Sequence, residues 1–321
     1  MKNRIEQACP VCGLTTHLTI FKKLFDDRYG YKVKFPLLSC NNCGHKFIQV
    51  TFSSEQISKL YSQYYPRSSW KVEEYRPHEE SRGINAWLNG KRKSAYCWVP
   101  PNVRVLDIGC GFGEALAYHQ KRGCEVYGVE ADENIRRIAE KFGFNVHVGL
   151  FDPAVYEPAF FDYVTMDQVI EHVTDPIETL KGIAKILKPG GIAILSTPNP
   201  NGWGARIFGR KWINWHAPYH LQHFSPKSLE IAAKKAGLVI IRCVTITSSQ
   251  WLYYQWLHLV TYPHMGKPSP FWSPKTDMVF WQKVAVKITS LVHSTKINHI
   301  ITRIFDALEI GDNLIFVIKK R

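Results

Sequence analysis

The sequence predicts an α/β fold: a doubly wound, mostly parallel sheet of seven strands, preceded by a small cysteine-bearing module and interrupted late by a helical insertion. Three observations predict it. Apolar runs alternate with helix-like segments from residue 103 onward, the first of those runs ends on clustered glycines, and four of the eight cysteines fall as two Cys-x-x-Cys pairs near the start. A chain of 321 residues is long enough to bury a full core of this class and carry a small module besides.

The module is expected over residues 1–52. Cys9 and Cys12 form one pair and Cys40 and Cys43 the other, each followed by a glycine, Gly13 or Gly44, that relieves a tight turn. Two such turns aim four thiolates at one tetrahedral centre, which reads as a structural zinc ribbon. The remaining cysteines, Cys97, Cys110, Cys124 and Cys243, are scattered and read as small buried hydrophobes. Residues 53–101 carry Tyr61, Tyr64, Tyr65, Trp70, Trp87 and Trp98 among charges and predict a helical connector that packs over the main domain as a lid. Pro100 and Pro101 end it.

The main domain is expected over residues 102–321. Strands are predicted at 103–108, 125–130, 145–148, 162–167, 192–197, 238–247 and 313–319. Helices are predicted at 114–122, 132–142, 176–187 and 226–236, with Asp132 as an N-cap. A loop at 198–225 follows the fifth strand, and an insertion at 248–311 separates the last two.

Composition narrows the functional classes. With 45% hydrophobic and 21% charged residues the chain is an ordinary folded protein, and disorder is excluded. Its net charge of +14 favours an acidic partner, whether RNA, a phosphorylated metabolite or an anionic membrane, with a solvated basic surface as the plain alternative. The first seven residues lack the apolar core of a secretory signal, so a cytoplasmic location is expected, with room for peripheral contact at the inner face of the membrane. The longest apolar stretch, at 251–262, is broken by Gln255 and His258 and predicts no membrane span.

Ligands of doubly wound sheets sit beyond the carboxyl ends of the strands, so the turn Asp107-Ile108-Gly109-Cys110-Gly111-Phe112-Gly113 marks the site. A dinucleotide fingerprint wants a small residue where this chain has Glu114, which disfavours nicotinamide. Glu130 ends the second strand about 20 residues after the turn, where a carboxylate accepts both ribose hydroxyls, and together these features fit an adenosyl ligand.

Val-Leu-Asp-Ile-Gly-Cys-Gly-Phe-Gly at 105–113 resembles the first motif of class I S-adenosylmethionine-dependent methyltransferases, of the type 11, 12 and 23 groups. The resemblance continues in family order through Gly128-Val129-Glu130, Phe161-Asp162-Tyr163-Val164, Val169-Ile170-Glu171-His172-Val173, Leu187-Lys188-Pro189-Gly190-Gly191 and Ser196-Thr197-Pro198-Asn199, and it covers residues 101–247. It implies S-adenosyl-L-methionine as cofactor. Asp107, Gly109, Cys110, Gly111 and Gly113 would then line its methionine part, and Glu130 with Ala131 its ribose. Leu150, Phe151 and Asp152 would flank the adenine, with Asp167 and Gln168 facing the methionine.

Methyl transfer to a hydroxyl needs a base, and related enzymes often place a histidine where this chain has His172. Tyr219, His220 and His223 in the following loop are further candidates. A purely structural role, bonding backbone or filling a packed loop, is the alternative for each. Trp203, Phe208, Trp212 and Trp215 beside Arg206, Arg210 and Lys211 suit a sugar face or an anionic acceptor, with plain burial as the competing account. Within the insertion, two stripes recur at helical spacing: Trp281, Val284, Ile288, Leu291 and Val292, then Ile297, Ile300, Ile301, Ile304, Phe305 and Leu308. They predict core packing, a homodimer, or peripheral membrane contact through residues 250–310.

The leading expectation is therefore O-methylation of a sugar, glycan precursor or other small molecule, with a lipid-linked acceptor if the membrane reading holds. RNA methylation is the alternative enzyme, although the ribbon lacks a dense basic cluster. A non-catalytic zinc-ribbon binding protein is the third reading, disfavoured by the intact glycines and Glu130.

Overall fold

The computed structural model describes residues 8–49, 75–79, 83–90 and 92–321, together with Phe52, Gln56, Leu60 and Tyr64. Three short strands open it: β1 (Leu18–Phe25), β2 (Lys34–Cys40) and β3 (Lys46–Ile48). The main sheet is built from β4 (Arg104–Ile108), β5 (Glu125–Glu130), β6 (Asn145–Val148), β7 (Phe161–Asp167), β8 (Leu187–Pro198), β10 (Leu238–Ile246) and β11 (Asn313–Lys320). Its order is β10-β11-β8-β7-β4-β5-β6. The pairings from β8 to β6 are parallel, and β11 alone runs against its two neighbours. This is the expected seven-stranded doubly wound sheet, and strand order reverses at β4, where the glycine turn stands.

The helices follow from the chemistry at their ends. Pro176–Ile186 begins with proline at its first turn and Asp175 accepting from the N–H groups of Ile177 and Glu178. Pro226–Lys235 carries a Ser225–Ser228 capping box. Asp132 departs from expectation: its carboxylate accepts from Asn134 N–H at 3.0 Å, and the helix starts later, at Ile135. The helical connector expected over 53–101 is described only in part. Helix Gly83–Leu88 and the 3₁₀ turn Ala95–Trp98 are separate, and Tyr61, Tyr65 and Trp70 lie outside the described residues.

The ribbon is welded to the main domain. A two-residue strand from the loop after β8, β9 (Gln222–His223), pairs with β3 and makes the small sheet four-stranded, β1-β2-β3-β9. Leu24, Phe35, Leu37 and Ile48 of the ribbon pack with Trp212, Ile213 and Trp215 of the loop. The cysteine turns join the principal core, and Lys227 and Lys235 donate to the carbonyls of Asn42 and Val11. A module this small needs such outside apolar partners to fold.

Three helices fill the insertion: Ser249–Val260, Phe280–Ser294 and Ile297–Ala307. Core packing of both stripes is not what is found. Helix Phe280–Ser294 buries none of its residues, and Phe280 (82% exposed), Leu291 (67%), Trp281 and Ile288 face solvent with Ile300 and Ile304 beside them. Among the described residues no helix is long and apolar enough to cross a membrane.

Candidate functional site

The glycine turn closes the carboxyl end of β4. Gly109, Gly111 and Gly113 have φ values of 73°, 55° and 81°, a region side-chain-bearing residues rarely enter. Gly109 is held tightly: a Cβ there would stand 2.4 Å from Val169 Cγ2. Gly111 has open space on that side, so its backbone is free to approach a ligand. The Gly109 and Cys110 N–H groups donate to the Val129 carbonyl, fixing the turn against β5, and Gly128 leaves room for the Cys110 sulfur. Tyr75, from the connector, donates its hydroxyl to the Gly113 carbonyl at 3.0 Å.

Glu130 ends β5 facing this turn. Its two oxygens accept from Gly111 N–H and Asp132 N–H, both at 2.9 Å. A carboxylate has about four lone-pair sites, so each oxygen keeps one for a diol. Ala131 is exposed beside it. Asp107 is buried and accepts from Thr165 Oγ1 at 2.6 Å; burial pushes its carboxyl up to about 7, although the Thr165 bond pulls the other way. Asp167, at the end of β7, accepts from Ala95 N–H at 3.0 Å and from the Ser196 hydroxyl, and burial raises its carboxyl as well. Gln168 adopts a positive φ of 58° and is pinned by bonds to Ser196 Oγ and Asn313 Oδ1. Leu150 is 81% exposed past β6, whereas Phe151 turns inward against Gly182 and the core.

A second cluster lies beyond β7. His172 Nδ1 bonds the Tyr219 carbonyl at 3.0 Å and His220 Nδ1 the Asn214 carbonyl at 2.9 Å. Because a carbonyl only accepts, both rings carry their proton on Nδ1 and present Nε2 as a lone pair. The two rings meet edge-on at 4.6 Å. Glu171 is fully buried, accepts from Thr197 Oγ1 at 3.1 Å, and has no partner for Oε1 among the described residues. Burial pushes its carboxyl up to about 8 and holds His172 down near 4 and His220 well below its usual value. Side-chain ligand atoms of Glu171, His172 and His220 lie within 4.8 Å of one another, a spacing that could hold a cation.

Of the four predicted acceptor-side residues, the structure brings His172 and His220 together. Tyr219 supplies its carbonyl to His172 and packs its ring on Tyr29 at 5.4 Å. His223 is buried in β9 under Trp215, on the seam with the ribbon. Sequence reasoning did not single out Glu171, although it stands beside His172; its signal was a carboxylate inside an otherwise apolar motif, and only burial gives that meaning.

Cys9, Cys12, Cys40 and Cys43 converge, their sulfurs within 4.8 Å of one another. Cys9 to Cys43 and Cys12 to Cys40 are each 3.6 Å. A tetrahedron with metal–sulfur distances of about 2.3 Å has edges of about 3.8 Å, so the cage fits one zinc ion.

Comparison with known proteins agrees with this geometry. The methyltransferase domain family matches residues 72–242, more than half of the chain. Curated relatives include a ubiquinone biosynthesis O-methyltransferase of Xanthomonas campestris, 31% identical over 144 residues, which cover 41% of this chain and 60% of that protein. Another of the same name from Aeromonas salmonicida is 27% identical over 186 residues, covering 53% and 76%. The chain thus spans about three fifths of the first of these relatives. Among solved structures, a SAM-dependent methyltransferase from Archaeoglobus fulgidus is similar at 20% identity with a TM-score of 0.42, over 68% of this chain and 86% of that one.

Proposed function

The chain belongs to the methyltransferase domain family, and from that premise we propose that it transfers a methyl group from S-adenosylmethionine to a hydroxyl of a small-molecule acceptor, with a structural zinc ion in its ribbon. The observation that carries the reading is the pairing of an all-positive-φ glycine turn with a Glu130 carboxylate that grips it and still keeps lone pairs for a ribose. Asp107, Gly109, Gly111 and Gly113 would hold the methionine end, Glu130 and Ala131 the ribose, and Asp167 and Gln168 the far wall. The cofactor supplies an electrophilic methyl on a sulfonium. Everything else falls to the chain: exclude water, align the acceptor oxygen and take its proton.

His172 suits the last task, because its Nε2 carries the free lone pair. His220 fixes the edge of that ring, and Tyr219 fixes its tautomer. The names of the curated relatives support an O-methyl product on a small molecule. A sugar or lipid-linked acceptor is a finer reading, supported by the exposed face of Phe280, Trp281, Ile288 and Leu291 beside Lys283 and Lys287, which suits an anionic bilayer surface.

The test is a screen of hydroxyl-bearing acceptors with methyl-labelled cofactor. Label should appear on oxygen, and His172→Ala should lower turnover by about 100-fold or more at unchanged cofactor affinity. Label on nitrogen or carbon, or full turnover by the variant, would overturn the assignment.

A further inference from the structure

Trp203, Trp212 and Trp215 of the loop are buried, but the basic side chains around them lack acidic counterparts among the described residues. Phe21 and Lys22 of β1, Lys46 of β3, and Asn201, Arg206 and Trp215 of the loop line a cavity of about 460 Å³ between ribbon and main domain. That volume is within the range of small-ligand sites. Lys46 is buried, 8% exposed, yet among the described residues its ammonium meets only the Asn201 side-chain oxygen, at 3.0 Å, and the Phe21 ring, at 5.1 Å. Lys22 stands over Phe21 and Trp215 at 5.0 and 5.7 Å. Among the described residues none of Lys22, Lys46, Arg206 and Arg210 pairs with a carboxylate. The lysines oppose each other and Arg210, and burial together with this repulsion lowers both of them.

Such an arrangement costs the folded chain free energy unless something neutralises it. A solvated face would spread these groups into water. Here β3 buries one of them, and its pairing with β9 holds it against the loop. The walls are not uniformly charged either. Phe21, 45% exposed, meets Trp215 edge-on at 6.1 Å and leaves an aromatic surface beside the cations.

We propose that this cavity binds an organic phosphate, its phosphate or diphosphate group between Lys22, Lys46 and Arg206 and its sugar or base ring against Phe21. Both halves of the protein are needed to form it, which gives the ribbon a ligand-binding role besides its zinc. The loop that walls the cavity leaves β8 at the same sheet edge as Asp167 and Gln168, but the site stands or falls independently of methyl transfer.

The experiment is calorimetric titration of the full zinc-loaded chain, at low ionic strength, with sodium pyrophosphate and with uridine 5′-monophosphate. Both should bind, weakening as salt rises. Lys22→Ala with Arg206→Ala, both at partly or fully exposed positions, should weaken both ligands by at least about tenfold while the ligand-free melting temperature does not fall and S-adenosylmethionine binding stays as in wild type. Phe21→Ala should weaken the nucleotide and spare pyrophosphate. Absence of binding by either probe, or equal binding by the double variant, would overturn the proposal. Equal binding of sulfate and pyrophosphate, untouched by Phe21→Ala, would show an adventitious ion only.

Discussion

Gly109→Ala probes the cofactor turn with a single methyl group. Two costs add. Holding an alanine at φ 73° costs about 1–2 kcal/mol. The new Cβ would also lie 2.4 Å from Val169 Cγ2, and relieving that overlap by moving backbone or rotamer costs about 1–3 kcal/mol. The turn also carries the two N–H bonds to the Val129 carbonyl that fix it on β5, so relaxation on either side displaces the ligand-facing amides. The expected result is destabilisation of about 2–5 kcal/mol in urea unfolding, with S-adenosylmethionine binding weakened by at least about tenfold in calorimetry. Val169→Ala in the same chain removes the Cγ2 and should return the steric part and leave the φ part. If Gly109→Ala unfolds and binds as wild type, or if Val169→Ala restores nothing, the reasoning from turn geometry fails.

Stability should respond to pH through buried groups. Burial holds His119 and His172 near 4 and His223 near 3, with His216 and His220 lower than usual, so these groups withdraw stability as pH falls from 6.5 toward 4. Asp107 and Asp312, raised to about 7, and Glu171, raised to about 8, act oppositely: their contribution is full below about pH 4 and is lost as pH rises through 7 and 8. On the acid side these histidines oppose the raised carboxyls, and above pH 6.5 only the carboxyls still lose stability, so the melting temperature should fall between pH 6.5 and 8; a rise across that window would contradict the burial assignments. Cys40→Ser should lose zinc by metal analysis and, because β3 carries β9, should loosen the loop after β8 while cofactor binding survives; retention of one zinc per chain would refute the cage. Asp312→Ala strands the Trp212 indole N–H and the Gly204 N–H, at a cost of about 2–6 kcal/mol in unfolding; a change below about 1 kcal/mol would mean water replaces the carboxylate. Flotation with anionic liposomes should carry the chain, and Trp281→Glu with Leu291→Glu should abolish it; equal flotation of the variant would show that the exposed face is not the contact.

The main sheet was legible because its strands are apolar runs, several of them next to glycine, and the helices at Pro176–Ile186 and Pro226–Lys235 carry caps readable in the sequence, so local chemistry and global topology agree. Ends shifted where pairing overrides pattern: β8 starts at Leu187, five residues early, because Leu187 pairs with Phe161 ahead of a register shift that resumes at Ile192 opposite Tyr163. β9 was invisible, since Gln222 and His223 form a strand only by lying against Lys46 and Phe47, a partner 175 residues and more away in the chain. The cofactor side of the site was readable from spacing, as turn, carboxylate and strand ends follow one another in order. The acceptor side was not: Glu171, Lys46 and the ring contacts of His220 acquire meaning only from burial, which spacing does not encode. The stripe from Trp281 to Leu291 was read correctly as periodic, but periodicity does not say whether a face meets core or solvent, and here it meets solvent.

The central claim, that the glycine turn and Glu130 form a site for S-adenosylmethionine, is tested most directly by calorimetry with that compound on the wild-type chain and Glu130→Ala. The account predicts one site per chain, weakened by at least about tenfold when the carboxylate is removed, since two ribose hydrogen bonds to a charged acceptor are lost. No binding by the folded, zinc-loaded wild type, or an affinity indifferent to Glu130, would contradict it.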